Sequence, residues 1–158
     1  MNETATTQVV SFPGQKSRCS SLEFIWVEPN EIHGYWELVK PGLEKVKKHG
    51  GGWLNEDIYA SIKAGQSNLH VFYDDATYVG FVLITPSVGF GGNVLHVWAM
   101  YSDDQNQQYH DEVNNQLTQW AESMKAKTIT FHTSRKGWGK VGEKLGFKAV
   151  MTIYERTV

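Results

Sequence analysis

"SRKGWGKVGEKLGFKAVMTIYER", Ser134 to Arg156, decides how the rest of the chain is read. Trp138, Val141 and Leu145 recur on one helical face. Gly146 followed by Phe147 has the form of a Schellman ending, in which a left-handed glycine stops the helix and the next apolar residue packs back on it. Ala149 to Glu155 then has strand composition. Gly137, Gly139 and Gly142 each weaken the helix by about 1 kcal/mol relative to alanine. Packing must therefore hold this helix, and its small residues let another backbone or a ligand come close.

Upstream, TITFHT alternates with period two: Ile129 and Phe131 face one way, Thr130 and His132 the other. Before it, Val113, Leu117, Trp120 and Met124 form an apolar stripe at steps of four, three and four, which is a helix. Ser102 with Gln105 has capping-box spacing, and Asp103 and Asp104 suit a helix N-terminus. Three strand-like runs come earlier, Asn68 to Tyr73, Tyr78 to Ile84 and Val94 to Tyr101. Asp74 to Thr77 and Gly91-Gly92-Asn93 supply the turns of a meander. The first third reads strand (Leu22 to Val27), a helix capped by Asn30 and interrupted or kinked at Pro41, the loop HGGGW, and a short helix that Asn55 caps and Gly65 ends.

At 158 residues, 41% hydrophobic, the chain has material for one packed core. Residues 1–21 are rich in Thr, Ser and Gln and carry Pro13-Gly14, the composition of an N-terminal arm; 22–158 form the domain. Within the arm Val9, Val10 and Phe12 make a short apolar cluster, either part of a flexible leader or a segment that orders on a protein partner. The arm lacks the basic start and apolar core of a secretory signal. No window holds the roughly 20 apolar residues needed to span a bilayer. With 15 basic and 17 acidic residues the net charge is −2, so no global field recruits nucleic acid or an anionic membrane. The lone Cys19 leaves no internal disulfide and no zinc-ligand spacing. His110, Asp111 and Glu112, adjacent on a helix, do not converge on one metal ion.

Strand, two helices, three-strand meander, long helix, strand, short helix, strand is the element order of the GNAT superfamily of acyl-CoA-dependent N-acyltransferases. "YVGFVLI" (Tyr78 to Ile84) looks like that family's V-G-F signature strand, and "KLGFKAVMTIYER" is similar to its closing G-F and strand. "SRKGWGKVGEKLGF" resembles the R-x-G-W pattern of GNAT-like proteins common in bacteriophage genomes. The resemblance covers Leu22 to Arg156 and implies an α/β fold with a mixed sheet in the order β-α-α-β-β-β-α-β-α-β, lacking the family's last strand. It also implies a sheet that splays between its fourth and fifth strands, where acyl-CoA inserts.

Two departures bear on activity. The family holds the CoA diphosphate on Q/R-x-x-G-x-G/A at the start of the long helix, where free amides and the helix dipole attract an anion. Aligned on Gln105, that motif meets Gln108 and His110 in place of its small residues; no glycine lies between Asn93 and Gly137. Ser102, Gln105, Gln107 and Gln108 are the residues that would meet acyl-CoA. Active relatives also carry a tyrosine four residues before the G-F pair as general acid, and Gly142 stands there, which cannot transfer a proton.

For catalysis the candidates are Tyr101, as a replacement acid, and His96 and His132 as bases for an ammonium substrate or as ordinary sheet residues. Lys45, Lys47 and Lys48, and Lys136, Lys140 and Lys144, either touch phosphates or make solvated faces. Trp36, Trp53 and Trp138 are candidates for lining a pocket, with core packing the expectation for Trp138. Two functions remain open. One is a phage-type domain with a degenerate acyl-CoA site and no cofactor, a binding or virion-assembly component whose arm docks on a protein partner, phage structural proteins among the candidates, in the host cytoplasm or the virion. The alternative is an active N-acyltransferase moving an acetyl group from acetyl-CoA to an amine.

Overall fold

The computed structural model describes residues 22–50, 52–103 and 109–158. The chain runs β1 (Glu23–Val27), α1 (Ile32–Lys47), α2 (Asn55–Lys63), β2 (Asn68–Asp74), β3 (Thr77–Gly89), β4 (Gly92–Ser102), α3 (His110–Ser123), β5 (Thr128–Phe131) and α4 (Trp138–Lys144). The five strands lie in sequence order in one sheet, antiparallel except for the parallel β4–β5 pair. The α/β mixed-sheet class expected from the sequence is the one observed. The arm residues Val9, Val10 and Phe12, and Gln105, Gln107 and Gln108, lie outside the described residues.

Alternation along the strands sorts the core into two layers. On one face Phe72, Val82, Ile84, Leu95 and Val97 meet Val113, Leu117 and Ala121 of α3, with Ile129 and Phe131 of β5 beside them. On the other, Leu69, Val71, Phe81, Leu83 and Ala99 meet Ile32, Val39 and Leu43 of α1 and Ile58 and Ile62 of α2. Both layers are buried: apart from the partly buried Ile129 and Phe131, every residue named is 7% exposed or less, and the α1–α2 layer is the deeper, at 3% or less. Gly42 lets α1 lie against the sheet: a Cβ there would stand 2.6 Å from the Tyr101 ring and 2.9 Å from Phe81.

Several local expectations shift. Pro41 does not interrupt α1, which runs through it to Lys47. The α2 cap is Leu54, whose N–H donates to Asp57 Oδ2 at 2.7 Å, so Asn55 is the first helical residue. Its side chain instead donates to Glu44 Oε1 at 2.5 Å and ties α2 to α1. Ser102 does not cap α3; it closes β4, and the helix begins at His110 after Tyr109, whose hydroxyl donates to Asp74 Oδ2 at 2.7 Å. The Schellman ending forms as expected, with Gly146 at φ 85 and Phe147 N–H donating to Gly142 O at 2.8 Å.

The closing strand is a correction. Residues 149–155 form no strand, β5 is the edge of the sheet among the described residues, and Val150, Met151, Ile153 and Tyr154 are 69–93% exposed. Strand composition alone does not make a strand; a ladder partner is needed.

Candidate functional site

The parallel ladder between β4 and β5 is short. It runs from Val94↔Thr128 to Val97↔Phe131 and stops, while β4 continues to Ser102 paired with β3 alone. From Trp98 to Tyr101, then, the β5-facing main-chain groups of β4 have no strand partner among the described residues. An irregularity falls at the same place: β3 passes from Leu83↔Ala99 to Ile84↔Val97, leaving Trp98 as the extra residue of a bulge. The bulge puts Trp98 and Ala99 on the same side, against the α1–α2 layer, and returns Met100 to the α3 layer.

A cleft of about 150 Å³ opens at this split. Its walls come from both sides of the sheet: His49, Gly50 and Trp53 after α1, Trp98 and Met100 of β4, His110, Asn114 and Leu117 of α3, His132 beyond β5, and Trp138 and Phe147 around α4. The cleft therefore passes between the strands from one layer to the other. The α4 side is built from rings: Phe131 packs edge-on against Trp138 at 5.3 Å and Phe147 at 5.0 Å, and Trp138 stacks on His110 at 5.8 Å. Across the other mouth Ser134 donates its hydroxyl to the His49 carbonyl, tying the β5–α4 loop to the end of α1. Gly142 is buried beneath this wall, where an added Cβ would meet Phe147 at 3.6 Å.

The three catalytic candidates separate. His132 lines the cleft. His96 lies behind it, its ring 4.8 Å from that of His132 and its Nδ1 paired with Thr130 Oγ1 at 2.9 Å. Burial, and then its neighbour His132, lower the His96 pKa from its ordinary value, which favours its neutral form. Tyr101 is elsewhere: its ring lies over Gly42 and Phe81, and its hydroxyl sits between Lys45 Nζ, which donates to it at 2.7 Å, and Asp103 Oδ1, which accepts from it at 3.0 Å. That hydrogen bond is the main reason the Lys45 pKa is raised. Of the tryptophans, Trp53 and Trp138 line the cleft, and Trp36 packs on Tyr59 at 5.0 Å. Trp98, Met100, Asn114 and Arg135 were not flagged by sequence reasoning; their convergence depends on the bulge and the split.

Charge is unevenly placed. Among the described residues lining the cleft none is acidic, and Arg135 carries the only fixed positive charge. By contrast, Asp111 and Glu112 occupy the first turn of α3, where they take up the helix dipole that would otherwise attract a phosphate. Glu112 also accepts the Leu22 N–H at 3.2 Å. Among the described residues no group of His, Cys, Asp and Glu could hold a metal ion, and no helix is long and apolar enough to cross a membrane.

No protein-family model matches the chain, and no curated protein matches it in sequence. Solved structures do. A ribosomal-protein-alanine N-acetyltransferase of Brucella melitensis biovar Abortus 2308 superposes with a TM-score of 0.65 at 14% identity, over 87% of this chain and 99% of that one. An aminoglycoside N-acetyltransferase crystallised with CoA gives 0.61 at 14% identity, over 90% and 99%. An aminoglycoside acetyltransferase from an uncultured soil metagenomic sample, crystallised with trehalose, gives 0.63 at 9% identity, over 89% and 98%. At these identities the likeness is one of fold: the chain shares the fold of these solved acetyltransferases.

Proposed function

We propose, from the acetyltransferase fold and the split in its sheet, that the protein is an N-acyltransferase that passes an acyl group from a CoA thioester to an amine. The observation that carries this is the cleft at the β4–β5 split, apolar, running through the sheet, and edged by Trp98 to Tyr101, which lie beyond the end of the β4–β5 ladder. An extended chain carrying amides, such as a pantetheine arm, pairs with such an edge as a strand would. CoA would supply an activated carbonyl and a thiolate leaving group.

His132 is placed to take the proton an ammonium must lose before its nitrogen attacks, and neutral His96 behind it leaves that ring free of a competing charge. As the C–N bond formed and the C–S bond broke, the nitrogen would give up its second proton, and water would relay it to the departing thiolate, since Gly142 offers no acid. The side chains fit the arm better than the diphosphate: the carboxylates of Asp111 and Glu112 oppose an anion at α3, so Arg135 is the cation within reach of the cleft. Incubation with acetyl-CoA and a panel of primary amines, following thiol release, tests the proposal. Amine-dependent release supports it, and none with any amine removes it.

A second function is favoured by those same carboxylates and by Gly142: a domain that keeps the fold and serves as a binding or assembly component, of a phage particle in the sharpest form. It would use Val9, Val10 and Phe12 of its arm on a protein partner. Loss of co-purifying partners on deletion of residues 1–21, with no response to acetyl-CoA, would support it.

A further inference from the structure

Charge is segregated along the chain. Ser134 to Lys148 holds five basic side chains, Arg135, Lys136, Lys140, Lys144 and Lys148, against the single acid Glu143, a net +4 in a chain whose total is −2. The rest of the chain therefore carries −6. All five basic side chains are exposed. Outside the described residues the sequence adds Lys16 and Arg18 against Glu3 and Asp104, so nothing there neutralises the excess.

This basic face is the back of a cleft wall. Trp138 and Leu145 of the α4 region line the cleft, and Lys140 and Lys144 lie on the side of the helix turned away from them. Trp138 stacks on His110, which sets α4 beside the start of α3. There the charge reverses, with Asp111 and Glu112 in the first turn. The two ends of a CoA thioester thus meet opposite conditions. The split suits its amide-bearing arm, whereas the α3 carboxylates oppose its diphosphate. A donor that keeps the arm, carries one phosphodiester in place of the diphosphate, and brings its negative charge to α4 satisfies both.

We propose that the thioester this cleft fits best is borne by an acidic acyl carrier protein, its phosphopantetheine arm entering the β4–β5 split and its body lying on the basic face of α4. This rests on the acyl-transfer reading above and changes only the leaving group. The C–N bond forms and the C–S bond breaks; the nitrogen gives one proton to His132 and a second, through water, to the carrier's pantetheine thiolate. The products are an amide and a carrier with a free thiol. A nucleic acid would meet the same lysines, but it has no arm for the cleft.

Anisotropy of a fluorescently labelled acyl carrier protein bearing its phosphopantetheine arm reads the docking without chemistry. Binding should saturate at low salt and weaken about tenfold or more when Lys140→Glu and Lys144→Glu are combined, and again with added salt. Turnover is then compared among the acetylated carrier, acetyl-CoA and acetyl-pantetheine, which has neither carrier nor phosphate. The carrier thioester should be the best donor by about tenfold in kcat/KM, and the double variant should erase that advantage while leaving acetyl-pantetheine turnover in place. No saturable binding of the carrier, or a preference for acetyl-CoA, would overturn the inference. So would equal losses with carrier and CoA in the double variant, which would assign the lysines to the phosphates of CoA, or a mixed-sequence RNA that binds where the carrier does not. Transfer from acetyl-CoA with no gain from the carrier sinks this inference and leaves the acyltransferase reading standing; no transfer from any donor removes both.

Discussion

His70 makes a sharp prediction about acid stability. It sits on β2 facing the α3 layer, 9% exposed, its ring 4.0 Å from Trp120 and its Nδ1 with no hydrogen-bond partner among the described residues. Burial lowers its pKa from 6.5 to about 4. The folded state therefore refuses a proton that the unfolded chain accepts between those two values, so stability rises with pH across that window and is lost as pH falls through it. Keeping that proton off is worth roughly 3 kcal/mol when complete, of which about 2 kcal/mol is gone by pH 5. For a domain of this size that lowers Tm by about 4–8 °C between pH 7 and pH 5. His70→Phe keeps a ring against Trp120 and removes the titrating group. Calorimetric scans from pH 7.5 to 4 should show the wild type losing Tm steeply below pH 6.5 and the variant losing distinctly less. It should match or exceed the wild type at pH 7, because an unsatisfied buried nitrogen is gone. Parallel Tm-against-pH curves would refute the reasoning.

The remaining predictions concern the close packing and the cleft. Gly42→Ala forces a methyl into the Tyr101 and Phe81 rings and should cost about 1–3 kcal/mol in urea unfolding; an unchanged midpoint would show that α1 can retreat. His132→Gln should lower amine-dependent turnover by about 100-fold with little change in thioester affinity, whereas Tyr101→Phe, away from the cleft wall, should leave turnover within about threefold. Asp111→Asn removes a carboxylate from the start of α3 and should tighten acetyl-CoA binding by about two- to fivefold at low salt, an effect that added salt abolishes.

Much of this fold is written in local alternation and spacing. The β2–β3–β4 meander follows from turn residues between period-two runs, and α3 from a stripe that packs as spaced, with Val113 and Leu117 buried and Trp120 and Met124 against the same layer. What stayed hidden depends on pairing partners. The segment after Phe147 has the composition of a strand and forms none, because its partner edge is a matter of tertiary or quaternary structure. Tyr101 was placed among the catalytic candidates as a strand-end residue. Simple alternation from Leu95 would carry it to the α3 face, but the bulge at Trp98 inverts the phase and delivers it to α1. No glycine or proline between Val94 and Tyr101 marks that bulge. His132 was legible because it continues the alternation of β5; Arg135, Trp98 and Asn114 become neighbours only once the ladder stops at Val97.

The central claim, that the split between β4 and β5 receives an acyl-CoA thioester, is tested most directly by thermal unfolding in the presence of acetyl-CoA. Specific binding predicts a saturable rise, about 2.7 kcal/mol at a hundredfold excess over Kd, or roughly 5–10 °C for a domain of this length, reduced in Arg135→Ala. A transition that stays put up to millimolar acetyl-CoA would contradict the claim.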